Sequence, residues 1–376
     1  MYSRRSWRGL AILPLLLAST SASLAARPKP ATQWGIGPFI KVDSANPVLS
    51  PGDSRFYCPL SGKVVAWEKD NVFNPAAVVR GGRVYVLYRA EDDSGNGIGM
   101  HTSRIGLANS VDGKVFKKLP RPVLYPDKDD QKNRDWPGGC EDPRVVETPD
   151  GGYLLLYTAW NRQTATLSAA TSRDLVHWVK RGPVFAKAAA GRFASTWSKS
   201  ASVVCRLVRD RLIAAKIDGK YWMYWGEGQI HAATSTNLMD WNPVINAPGD
   251  LAVVMDRRAG KWDSDLVECG PPAVITPAGI VLLFNGKNAA RNGDTTLRAA
   301  TYSAGQALFS QDDPAKLLDR RDGYFLTPEK PYETTGQYQG GTVFVEGLVH
   351  FRHRWYLYYG TADSHVAVAC TRPDPE

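Results

Sequence analysis

Charged and amide side chains recur where short apolar runs begin and end. One set of runs opens with Asn74-Pro75, Glu141-Asp142-Pro143, Lys199-Ser200, Glu268-Cys269-Gly270 and Glu346-Gly347. Another set ends in Arg89-Ala90-Glu91-Asp92, Gly226-Glu227 and Thr361-Ala362-Asp363. If these ends meet at one mouth, several carboxylates and a few cations surround a small pocket. That grouping suits glycoside chemistry, in which one carboxyl protonates the leaving oxygen and another activates water. A carboxylate at a strand start also serves to cap a turn or pair with arginine, and Asp142 stands just before Arg144. The convergence of several is what points to chemistry.

Other chemistries find less support. Gly95-Asn96-Gly97-Ile98-Gly99 lacks the dinucleotide-binding spacing and sits in hairpin context. Asp127, Asp129 and Asp130 lack the glycine and closing glutamate of a calcium loop. The histidines form no HExxH pattern, there is no GxSxG elbow, and Cys58, Cys140, Cys205, Cys269 and Cys370 show no CxxC pair. No metal site and no cofactor are expected. The cysteines read as small buried hydrophobes, with an odd number that leaves at least one thiol free.

Carboxylates so far apart in the chain need a repeating frame to bring them together. The sequence carries one. Short β-like runs end in Tyr88, Tyr157, Trp225, Phe284 and Tyr359, at near-regular spacing. Glycine-containing turns precede most of them, as in Gly81-Gly82, Asp150-Gly151-Gly152 and Asp218-Gly219. A third run recurs as Leu107-Ala108-Asn109-Ser110, Ala169-Ala170-Thr171-Ser172, Ala232-Ala233-Thr234-Ser235, Ala299-Ala300-Thr301-Tyr302 and Val368-Ala369-Cys370-Thr371. A fourth recurs as Pro122-Val123-Leu124, Pro183-Val184-Phe185, Pro243-Val244-Ile245 and Tyr324-Phe325-Leu326.

Four strands in five units predict an all-β fold, a single five-bladed β-propeller. The fifth unit lacks its fourth run. A spare copy, Asn46-Pro47-Val48-Leu49-Ser50-Pro51, lies near the N-terminus and is expected to complete the last blade. Closure of this kind removes exposed sheet edges. The alternative for such a pattern is a β-sandwich.

The formal charge is +9, and hydrophobic residues make up 43% of the chain. That content is too high for disorder. Arg4, Arg5 and Arg8 precede an apolar run over 9–18, followed by Ser23 and Ala25 at a cleavage-like site. Residues 1–25 therefore read as a secretory signal, and 26–376 as the propeller domain. The apolar run is too short for a permanent span, so the mature chain is expected to be exported, periplasmic or extracellular, with no membrane span. Basic residues form no long cluster, which argues against nucleic acid as a partner.

Several of these motifs resemble glycoside hydrolase family 130. They are Phe73-Asn74-Pro75-Ala76-Ala77, Leu87-Tyr88-Arg89-Ala90-Glu91, Thr102 to Ala108, Gly138-Gly139-Cys140-Glu141-Asp142-Pro143-Arg144 and Tyr358-Tyr359-Gly360-Thr361-Ala362-Asp363. That family comprises β-mannoside phosphorylases and a smaller group of β-1,2-mannosidases on a five-bladed propeller. The resemblance implies that Asp142 is the catalytic acid, acting through the 3-hydroxyl of a bound mannose. It implies that Asn74, Arg89, Arg104, Lys199 and Asp363 hold the sugar.

The departures from the phosphorylase pattern decide the expected reaction. Where phosphorylases tend to carry a His-Arg pair, this chain has Gly226-Glu227. Where they carry a small residue it has Glu268, and in place of a His-Gly it has Asn285-Gly286. Two added carboxylates would repel a phosphate dianion by roughly several kcal/mol at reduced dielectric. The sequence thus resembles the hydrolase branch, with Glu227 and Glu268 as candidates for general base. The expected activity is an inverting exo-β-mannosidase acting on β-1,2 linkages of a mannose-containing oligosaccharide or glycan. The alternatives are a phosphorylase releasing mannose 1-phosphate and a non-catalytic glycan-binding propeller.

Overall fold

The computed structural model describes residues 34–374. The expected leader over 1–25, and the first residues of the expected domain, lie outside them. The regular elements of the described residues are almost all strands, and most of them pair antiparallel with a strand close by in sequence. Asn71–Arg80 pairs with Arg83–Glu91, and that strand with Ser103–Ser110. Gly81 and Gly82 make the first turn with φ of 54° and 72°, angles that a β-carbon would strain.

The order then repeats along the chain. Gly139–Glu147, Tyr153–Trp160, Ala165–Ser172 and Trp178–Pro183 form one meander. Ala201–Val208, Lys220–Trp225 and Ile230–Ser235 form another. Leu266–Cys269 and Ala273–Thr276 both pair with Gly279–Lys287, which continues to Tyr302–Phe309 and Leu317–Arg320. Val343–His350, Trp355–Thr361 and His365–Cys370 make the last meander.

The core lies between successive meanders rather than within any one. Val78, Leu87 and Leu107 pack against Val145, Leu155 and Tyr157. Val204 and Tyr224 pack against Val267, Ile280 and Leu282. The last meander returns to the first, with Tyr356, Tyr358 and Val368 against Val84, Val86 and Tyr88. A lone hairpin is marginal in water, whereas each large apolar side chain buried here contributes roughly 1.5–3 kcal/mol. The layers between meanders therefore hold the fold.

The N-terminal segment joins the last meander, with a shifted contact. The ladder is formed by Ile40–Lys41 against Cys370 and Ala369. Of the expected run 46–51, Leu49 makes a single bridge to Val366, and the Asn46 side chain accepts from Val368 N–H at 2.8 Å. Two of the expected fourth runs behave alike, while Pro183 and Pro243 end regular ladders. Leu124 bridges Ile105 and Leu326 bridges Ala304, while the regular outer ladders lie earlier, at Lys117–Lys118 and Leu317–Arg320. Proline supplies the reason in the first case. Pro120, Pro122 and Pro126 bring no N–H to a ladder, so pairing there is reduced to isolated bonds.

The cysteines are all free, four of them buried and Cys370 partly so. Among the described residues no helix is long and apolar enough to cross a membrane.

Candidate active site

The strands that open three of the meanders break register where the polar residues stand. Pairing slips between Phe73 and Pro75, between Glu141 and Arg144, and between Val345 and Gly347. The residues set free are Asn74, Asp142 and Glu346. Pro75 and Pro143 have no N–H to continue the ladder, which favours a bulge, and a bulge re-aims the side chain. Asn74 and Asp142 take left-handed backbone, with φ of 43° and 46°, as do Ser200 at 48° and Asp363 at 51°. For residues other than glycine each such angle costs on the order of 1–3 kcal/mol. The surrounding sheets supply that strain energy, and the polar ends turn toward one another.

Asp142 is the most tightly held of them. Asn74 Nδ2 donates to its Oδ1 at 2.8 Å, and Arg89 Nη1 donates to the same oxygen at 3.1 Å. Lys199 Nζ lies 3.8 Å from its Oδ2. Burial opposes the Asp142 charge, but Arg89, Lys199 and Arg144 outweigh it and hold the carboxyl well below the usual range. Arg89 is itself shared, since its Nη2 contacts Glu91 at 2.6 Å and Glu141 at 2.9 Å. With one cation for three acids, burial wins at Glu141 and lifts it to about 7. Asp363 is lifted to about 7 as well, by burial offset in part by Arg89.

Glu227 and Glu268 come together from different meanders through an antiparallel bridge between their backbones. Lys199 Nζ lies 3.8 Å from Glu227 Oε1, the same distance as from Asp142. Trp197 Nε1 donates to Glu227 Oε2 at 3.2 Å. The Ser200 hydroxyl donates to Glu268. Burial raises Glu268 to about 7, and the nearby Glu227 adds to the rise.

A further polar network adjoins this group. Arg144 donates to the carbonyls of Asp142 at 3.0 Å and Cys269 at 2.9 Å, and lies 2.8 Å from Glu346. Glu346 is fully buried with no hydrogen bond to either oxygen. Burial raises its carboxyl well above the usual range, and Arg144 offsets this only in part. Asn285 ties the neighbouring meander in, donating to Val345 O at 3.1 Å and accepting from Val345 N at 2.7 Å. The site thus rests on a polar floor that spans several meanders.

Residues 50–374 match the family model for glycoside hydrolase family 130, described as β-1,4-mannooligosaccharide phosphorylase. The chain belongs to glycoside hydrolase family 130. Its family 130 relatives include a 1,2-β-oligomannan phosphorylase of Thermoanaerobacter sp. strain X514, 30% identical over 81% of this chain and 90% of the relative. A solved structure described as coming from the family's glycoside hydrolases that target β-1,2 mannosidic linkages in Candida mannan is 49% identical. It has a TM-score of 0.89 over 92% of this chain and 98% of its own. A glycosyl hydrolase of Bacteroides ovatus is also 49% identical, with a TM-score of 0.88 over 91% and 98%.

Not every residue expected at the family 130 site joins this group. Asn74, Arg89, Asp142, Lys199, Glu227 and Glu268 are linked through direct contacts. Asp363 is coupled to them by charge, and its carbonyl accepts from Gln337 Nε2 at 3.2 Å. Arg104 is 1% exposed, and its guanidinium pairs with Asp92 at 2.6 Å and with Thr102 O. Arg104 shares no hydrogen bond or ion pair with Asp142. The residues that sequence reasoning passed over are Ser200, Arg144 and Trp197. Ser200 and Arg144 were adjacent to named residues. Trp197 carried no signal beyond its closeness to Lys199.

Proposed function

We propose that the chain is an exported, inverting, exo-acting β-mannosidase that hydrolyses β-1,2 linkages in a mannose-containing oligosaccharide or mannan. The observation that carries this reading is the pairing of Glu227 with Glu268 beside Lys199. Two carboxylates in one small site disfavour a phosphate dianion and suit the activation of water. The pattern of similarity agrees. Identity is 49% to a structure described with the β-1,2-targeting hydrolases and 30% to the oligomannan phosphorylase.

In this reading Asn74, Arg89 and Asp363 bind the terminal mannose, and Asp142 serves as the acid. Asn74 keeps a buried Oδ1 without a partner, an acceptor suited to a sugar hydroxyl. The Asp142 and Glu227 oxygens that share Lys199 are no more than twice 3.8 Å apart. That limit reaches into the ~6.5–9.5 Å window of inverting glycosidases. An acid must carry a proton, yet Asp142 is ionised in the free protein. A proton must therefore reach Asp142 once substrate is bound, and Glu141, raised to about 7 and sharing Arg89 with Asp142, is a group able to supply it.

The same reading takes the meanders as five propeller blades around the axis that Arg144 occupies. Residues 40–49 then complete the last blade. The arginine-led apolar run before residue 25 supports export.

The curated phosphorylase relatives favour a second reading, in which Lys199 holds phosphate. Incubation with β-1,2-mannobiose, with and without phosphate, separates the two. The expected result is phosphate-independent release of mannose, with the α-anomer appearing first by NMR. Phosphate-dependent release of mannose 1-phosphate would overturn the hydrolase reading.

A further inference from the structure

The loop leading to Lys199 carries an indole that is half bare and yet fixed. Trp197 is 52% exposed, although its N–H donates to Glu227 at 3.2 Å. Its ring meets Trp160 edge to face, with centroids 5.8 Å apart. Trp160 ends the strand Tyr153–Trp160, and its own N–H donates to Gly99 O at 3.1 Å. Ile98 and Met100, on either side of Gly99, are exposed as well. Two indoles in contact thus lie beside Glu227, with exposed apolar side chains on the segment that Trp160 bonds.

Positioning a carboxylate needs only a donor, which a serine, asparagine or lysine would supply without exposing a large ring. An apolar surface beside a polar pocket marks a site of contact with something else. Two indoles locked by packing and by their own N–H bonds lose little freedom when a partner lands on them. Such a ring presents a flat electron-rich face to polarised C–H bonds. One face of a pyranose offers those bonds, while its hydroxyls point sideways to water.

We propose that Trp197 and Trp160 form a stacking platform for a hexopyranosyl unit on the leaving-group side of the scissile bond. The proposal rests on the β-mannosidase reading. In an exo-acting pocket the terminal sugar fills the deep end, among Asn74, Arg89 and Asp142, so a rim ring meets the part of the substrate that departs. Trp197 then has two roles, one at each part of its ring. The N–H sets Glu227, and the face holds the outgoing sugar.

Calorimetric binding tests this. Mannose, β-1,2-mannobiose and β-1,2-mannotriose are titrated into Asp142→Asn, alone and combined with Trp197→Ala, Trp197→Phe or Trp160→Ala. Mannose reports the deep pocket alone. Trp197→Ala and Trp160→Ala are each expected to weaken mannotriose about tenfold and mannose less than about twofold. Trp197→Phe keeps a ring and should retain most of the oligosaccharide affinity. Equal weakening of mannose and mannotriose, or no weakening, overturns the platform. Turnover of the unaltered enzyme on the same sugars distinguishes the failures. Turnover without selective loss of binding removes the platform and leaves the mannosidase reading standing. Neither turnover nor binding of any of these mannosides removes that reading, and the platform with it.

Discussion

Glu227 and Glu268 face each other across a β-bridge that joins two separate meanders, so the backbone itself fixes two like charges side by side. Proximity of this kind makes their protonation a joint property. One member, Glu268, is fully buried and raised to about 7 by that burial and by its neighbour. A base with this value is about half ready at neutral pH, where proton transfer is most efficient.

The acid limb of the pH profile follows from this pair. If Glu268 is the base, kcat/KM should rise with pH through about 7 as it ionises. Glu227→Gln removes a like charge, which lowers the Glu268 value and should move the limb to lower pH. A limb that stays in place in Glu227→Gln would show that Glu268 does not set it.

The same groups make stability depend on pH. A carboxyl raised in the folded state is protonated there while its unfolded counterpart is ionised, so stability falls as pH climbs from the unfolded value toward about 7. Glu268→Gln should therefore leave the melting temperature nearly unchanged at pH 4 and raise it by a few degrees at pH 8. Activity should drop in the same variant, a trade between stability and function.

Asp142→Asn keeps the Asn74 and Arg89 contacts within reach but removes the carboxylate that takes up and passes on the proton. Turnover should fall by about 10²–10⁴-fold while mannose binding survives, measured by initial rates and by calorimetry on one preparation. Full activity in this variant would exclude Asp142 as the acid.

Gly360 offers a way to disturb the site without changing a charge. A β-carbon there would press on Asn74 Oδ1, the side chain that donates to Asp142. Gly360→Ala should lower kcat far more than it lowers thermal stability. Activity unchanged in Gly360→Ala would show that the Asn74–Asp142 contact tolerates the shift.

Arg144 and Glu346 test the floor of the site. Removing the cation from a buried pair costs about 3–5 kcal/mol, because the remaining charge is stranded. Burial already raises the Glu346 carboxyl and Arg144 offsets that rise, so Arg144→Met should lower the urea midpoint, and more at high pH than at low pH. Adding Glu346→Gln should recover part of the loss at pH 8.

Much of this arrangement was legible in the chain. The repeated runs ending in Tyr88, Tyr157 and Tyr359 became paired strands, because alternation of side chains along a half-buried strand leaves a periodic trace. Asp142, Asn74 and Glu268 stood out because they open such runs. The bulges were not legible, since a slip of register depends on what the partner strand allows. Two of the fourth runs are displaced for a related reason. Those at Leu124 and Leu326 contact the third strand through single bridges, whereas the runs that begin at Pro183 and Pro243 start in regular ladders. Arg104 shows a further limit, because the sequence carries no sign that Asp92 occupies its guanidinium. Trp197 was invisible because a lone tryptophan in a loop has no pattern until its neighbours are known.

The seam between residues 40–49 and the last meander has a consequence for how the protein is made. Asn46 and its partner Val368 are 322 residues apart. The segment that finishes the final sheet emerges from the ribosome long before the strand it will join. Until His365–Cys370 is synthesised that segment has no edge to pair with, and the first meander lacks the layer formed by Tyr356 and Tyr358. Every other meander can form hairpin by hairpin as its residues appear. Assembly of the candidate site is thereby tied to completion of the polypeptide, and a chain interrupted before residue 363 lacks both the layer that covers the first meander and Asp363 itself.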